Sequence, residues 1–156
     1  MTDRSTKISL GLLLVAVSLF IFFMPWLLGH KQPAIDASVK QNMEFLNEMV
    51  EKYVKRKGKP PGDMNQLVLD ARNKEEHYNK TFFNPLFKSS GDAFDQQVIT
   101  VYSPSVAMSI DANFSGAQYA GKTGYFTEGS KYVIYGHTQN GALLTENGQI
   151  LSFGNY

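Results

Sequence analysis

The spacing of apolar and polar positions changes twice along the chain. From Ile8 to Leu28 no residue is charged, and most are Leu, Ile, Val or Phe. Wound as a helix at ~1.5 Å per residue, this run spans ~30 Å, the thickness of a bilayer core. Arg4 and Lys7 precede it, and His30 and Lys31 follow it. Trp26 stands near the far boundary, where an indole ring is favoured, and Pro25 falls close to the exit, where a missing backbone donor is tolerated. No clean small-x-small cleavage site follows, Ile35-Asp36-Ala37 being a poor one, so residues 8–28 read as a retained anchor rather than a signal peptide.

Beyond residue 33 the apolar positions take a helical period. Val39, Met43, Leu46, Val50 and Tyr53 recur at intervals of four and three and form one stripe over residues 34–57. Glu48 and Lys52, and Glu51 and Lys55, are four apart in the favourable order. Lys55, Arg56 and Lys57 suit a helix C-terminus, Gly58 suits the cap, and Pro60-Pro61 stop the helix. The stripe predicts packing on the protein's own sheet, with a coiled-coil or partner seam as the alternative. Asp63 is a predicted N-cap for a short second helix ending near Arg72. Residues 73–97 read as irregular, with turns at Asn84-Pro85 and Ser89-Ser90-Gly91-Asp92. Phe82, Phe83, Leu86 and Phe87 form an apolar knot there, which either pins the loop to the core or presents a binding patch.

From Val98 the period shortens to two. Strands are predicted at 98–102, 106–110, 124–126 and 131–136, then at 142–144 and 150–153. Asn140-Gly141 and Asn147-Gly148 supply the positive φ angles of tight hairpins. Helices segregated from strands predict an α+β fold with a small antiparallel sheet.

Composition narrows the chemistry. Hydrophobic residues make up 43% of the 156, enough for a packed core, and the net charge of +1 offers no field for nucleic acid. Cysteine is absent, which excludes disulfides and thiolate metal sites. His30, His77 and His137 fall in different elements, with no helical pair to hold zinc. His137, at a strand end beside a turn, reads as a surface residue. No phosphate loop, nucleophile elbow or calcium loop occurs. No catalytic residue, cofactor, metal or small-molecule substrate is therefore expected.

Three stretches carry a resemblance. An apolar helix with a late proline is followed by an amphipathic helix. Its exit runs Tyr53-Val54-Lys55-Arg56-Lys57-Gly58-Lys59-Pro60-Pro61-Gly62-Asp63-Met64-Asn65-Gln66-Leu67, with Asn84-Pro85 in the loop beyond. The C-terminal block is Gly124-Tyr125, Tyr132-Val133-Ile134-Tyr135-Gly136 and Asn140-Gly141-Ala142-Leu143-Leu144. This arrangement resembles the type IV pilin-like proteins, and most nearly the major pseudopilins of type II secretion systems. It departs from them in lacking a prepilin cleavage motif and a glutamate in the apolar span. Residues 138–156 hold no aspartate, so no calcium site is carried over.

The resemblance implies a non-catalytic, membrane-anchored structural or accessory subunit of a secretion or pilus-type envelope assembly. A tethered extracytoplasmic protein-binding module is the alternative. The expected organisation is a cytoplasmic tail (1–7), a transmembrane helix (8–28), a linker (29–33) and an extracytoplasmic domain (34–156). Expected partners are the bilayer, through residues 8–28, and other subunits of the assembly. Candidate contact residues are Val39, Met43, Leu46, Val50, Phe82, Phe83 and Phe87.

Overall fold

Two kinds of backbone signal organise the described chain: a long helical stripe, then turn-separated strands. The computed structural model describes residues 17–18, 31–73, 75 and 77–156. These fall into two units with the boundary between Ala34 and Ile35, the second being Ile35–Tyr156.

Helix α1 runs Lys31–Lys57 and ends in Lys55, Arg56 and Lys57, so residues 31–33, expected in a linker, are helical. Gly58 takes φ 76° and returns its N–H to the Val54 carbonyl at 2.8 Å, the predicted cap. Helix α2 is Met64–Ala71, and the Asp63 side chain accepts from the Gln66 N–H at 2.8 Å. Strands β1 (Phe82–Asn84) and β2 (Ser89–Gly91) make a hairpin within the stretch read as irregular.

The principal sheet has the order β3-β4-β5-β8, from Ile99–Val101, Thr123–Glu128, Lys131–Gly136 and Ser152–Gly154. A small hairpin, β6 (Thr145–Glu146) with β7 (Gln149–Ile150), turns through Asn147 and Gly148 at φ 54° and 78°. The other Asn-Gly makes no two-strand hairpin. Gly141 donates its N–H to Thr138, and Leu143 bridges His137.

Two features of the expected fold are corrected. The sheet is mixed rather than antiparallel, because β3 runs parallel to β4, with Ile99 beside Thr123 and Val101 beside Tyr125. Parallel neighbours require a long crossover, and residues 102–122 supply it. The strand expected at 106–110 is instead a helical turn within that crossover. Helix α3 spans Pro104–Ala107, with Pro104 in its first turn and the Ser103 hydroxyl accepting from the Val106 N–H. Neither correction bears on the transmembrane helix expected at 8–28. Among the described residues no helix is long and apolar enough to cross a membrane, and the predicted span lies outside them except for Val17 and Ser18.

Both faces of the sheet are covered. Tyr125, Tyr132 and Ile134 pack against the stripe of α1 and against Met64, Leu67, Val68 and Ala71. Two phenols also tie this layer together: Tyr125 donates to the Pro61 carbonyl at 2.9 Å, and Tyr132 to Asn47 at 3.0 Å. On the opposite face Tyr102, Phe126 and Val133 lie with Val106, Ala107, Ile110, Tyr119 and Tyr135, so the crossover forms a third layer.

Candidate interaction surface

A helix stripe buried by its own domain has no area left for a partner. Val39, Met43, Leu46 and Val50 are each wholly buried in the main core, and so is Phe82. Phe83 and Phe87 lie outside it, at 43% and 58% exposure, with Leu86 beside them in the turn between β1 and β2. The structure thus separates the sequence-predicted contact residues into two groups. Five hold the domain together, and two reach solvent.

The β1–β2 turn is held on its β1 side by two buried asparagines. Asn42 donates its amide to the Phe83 carbonyl at 2.8 Å and accepts from the Phe83 N–H at 3.2 Å. Asn84, fully buried, donates to the carbonyls of Gln97 and Ala120 at 2.8 and 3.3 Å. Its side-chain oxygen accepts from the Leu86 N–H at 3.0 Å. Each amide satisfies backbone groups that the short hairpin would otherwise bury unpaired. Exposed aromatic side chains on a turn fixed in this way lose little freedom on binding, which favours them as anchors.

Charged groups brace the neighbouring helices. Lys80 reaches Glu48 at 3.0 Å, and Lys52 reaches it at 2.8 Å. The Lys52 and Lys80 hydrogen bonds hold the Glu48 carboxyl below its ordinary range. Asp70 accepts from the Tyr78 hydroxyl at 2.5 Å and pairs with Arg56 at 3.0 Å and Lys57 at 3.2 Å. Burial pushes the Asp70 carboxyl up, but those partners outweigh it and the net shift is downward.

His137 differs most from its expected place. It is fully buried, with Tyr119 stacked on it at 5.0 Å and Tyr102 and Phe114 at its edges. Nδ1 lies 3.0 Å from the Gly141 carbonyl, and Nε2 meets the Tyr102 hydroxyl. A carbonyl only accepts, so Nδ1 carries the proton and Nε2 accepts from Tyr102. Burial pushes the imidazole down to about 4, so it is neutral near pH 7. These contacts join the crossover to the sheet, which is structural work.

Asn42 is the residue that sequence patterning passed over. It stands three residues after Val39 and four before Leu46, on the apolar stripe itself. A polar residue inside a helical stripe signals a buried hydrogen-bonding duty. Among the described residues no cluster of three or more His, Cys, Asp or Glu is placed to hold a metal. No family model, curated protein or solved structure matches this chain, so the pilin-like resemblance rests on its sequence motifs alone.

Proposed function

We propose that the protein is a non-catalytic, pilin-like accessory subunit of a secretion or pilus-type envelope assembly. Residues 8–28 hold it at the membrane, and the domain beyond residue 34 contacts another subunit on the extracytoplasmic side. The observation that carries the interaction is the exposure of Phe83, in β1, and Phe87, in the turn after it, on a hairpin that Asn42 and Asn84 hold fixed. An exposed aromatic pair beside Leu86 costs solvation in an isolated domain and repays it at an interface. What supports the membrane location is sequence: the uncharged run from Ile8 to Leu28 with Trp26 near its end. The assembly class is supported by the helix-exit and C-terminal motifs.

A photoreactive amino acid at position 87, with the same change at exposed Asn147 as control, tests the contact in native membranes. The expected result is one discrete adduct from position 87 and none from 147. Equal yields, or no adduct, would remove the proposed surface. Recovery of the full chain in the soluble fraction would separately remove the membrane location.

A further inference from the structure

Strand β3 has one paired edge and one open edge. It ends the sheet order, so β4 is its only neighbour among the described residues. Toward β4, the Tyr102 N–H donates to the Tyr125 carbonyl at 2.8 Å, and the Thr123 N–H donates to the Val98 carbonyl at 3.0 Å. In a parallel ladder, alternate residues turn both backbone groups to the same side. Residues 98, 100 and 102 therefore face β4, while 99 and 101 face outward. The outward N–H of Ile99 is already used, donating to the Asp95 carbonyl at 2.9 Å. The Ile99 carbonyl and both backbone groups of Val101 have no partner among the described residues.

Beside this edge lies a cleft of about 480 Å³, with Asp63 and Met64 at the start of α2, Phe94, Ile99, Val101 and Lys122 among its lining. Phe94 and Val101 are 52% and 49% exposed, an apolar pair on an otherwise polar rim. The two charged residues differ in availability. Both oxygens of Asp63 are engaged by Gln66, at 2.8 and 2.9 Å. The Lys122 ammonium has no carboxylate partner among the described residues, so it is the cation of the cleft left to pair with an incoming carboxylate, while Asp63 keeps its charge but has both oxygens hydrogen-bonded. Exposed edges are ordinarily guarded by charge, proline or a covering loop. Ile99-Thr100-Val101 carries neither charge nor proline; Ile99 is buried, with its N–H taken by Asp95, and the open position of the edge is Val101.

We propose that this edge takes an extended segment of a partner protein as a fifth strand. The residue opposite Val101 exchanges both backbone hydrogen bonds with it, apolar side chains of the segment rest on Phe94 and Val101, and a carboxylate of the segment pairs with Lys122. Main-chain pairing supplies affinity, and the apolar and acidic contacts supply selection. The inference shares with the proposed function only that the ligand is a protein, and it stands apart from the Phe83–Phe87 contact.

The probe is a fluorescent, N-acetylated, C-amidated peptide, Glu-Thr-Val-Thr-Val, whose first, third and fifth side chains share the face of Val101, titrated by anisotropy against the full chain in detergent. Two comparisons accompany it. A peptide N-methylated at its central residue loses the donor needed for pairing. The Val101→Pro variant loses the protein's donor at an edge position where proline is tolerated. Each should weaken binding about tenfold, the value of one or two hydrogen bonds. Lys122→Glu should reverse the preference from the glutamate peptide to its lysine counterpart. Equal binding of the N-methylated peptide, which is independent of any folding defect in a variant, would overturn the proposal, as would no binding at millimolar protein. Concentration-dependent self-association abolished by Val101→Pro would assign the edge to a second copy and also overturn it. Loss of the position-87 adduct with peptide binding intact would count against the proposed function alone.

Discussion

Gly136 of β5 lies directly beneath Met43 of α1. A β-carbon at residue 136 would stand 2.5 Å from the Met43 sulphur, 2.6 Å from a Leu144 methyl and 2.8 Å from a Val39 methyl. The missing side chain is what lets the helix stripe settle onto the sheet. Gly136→Ala should therefore destabilise the fold by about 1–3 kcal/mol, the range for overpacking a tight core. Chemical denaturation of the fragment Ile35–Tyr156 is the measurement, and that fragment should unfold in a single transition. An unchanged midpoint would show that the helix and sheet separate easily, and the stripe would again be open to a partner.

The Asn42–Phe83 pair leads to a different expectation. Asn42→Ala removes two hydrogen bonds to one residue and leaves the Phe83 N–H and carbonyl without those partners. The Ser38 hydroxyl, 3.5 Å from the same carbonyl, is a weak substitute. The cost should be about 1–3 kcal/mol. Amide hydrogen exchange should accelerate in residues 82–91, with little change in β4 and β5. Protection lost equally throughout would mean that the hairpin is not an independent unit and that Asn42 acts on the whole core.

What could be read from sequence follows the range of the interaction involved. The stripe of α1, the Asp63 cap, the Gly58 cap and the Asn147-Gly148 hairpin are all decided within a few residues, and each stands where local chemistry places it. The pairing of β3 with β4 is decided by a crossover of some twenty residues, and alternation along Val98–Tyr102 is the same for either strand direction. Val106–Ile110 has a strand composition, but Ser103 and Pro104 start a helical turn, and that local signal prevailed. For the contact residues, composition alone gave Phe82 and Phe83 the same standing. Adjacent positions on a strand point to opposite faces, so one is buried and the other exposed.

The pH dependence of stability isolates His137. Its folded value near 4 lies below the ordinary 6.5, so between these limits the unfolded chain binds the extra proton. Stability is then full above pH 6.5 and falls as pH drops toward 4, by about 1.4 kcal/mol per unit and ~3 kcal/mol in all. Asp36 works in the opposite direction, because burial raises its carboxyl and favours its protonated form in the fold. The contribution of His137 must therefore be read as a difference. His137→Gln keeps hydrogen-bonding capacity toward Tyr102 and Gly141 but cannot titrate. It should lower stability at pH 7.5 and flatten the decline between pH 6.5 and 4.5, while the contributions of Asp36 and of the lowered carboxyls Glu48 and Asp70 stay common to both proteins. Urea midpoints at closely spaced pH values give the two slopes. Parallel slopes would mean that the imidazole is reached by water and takes up its proton without leaving the aromatic box, and that the crossover opens well below the cost of global unfolding.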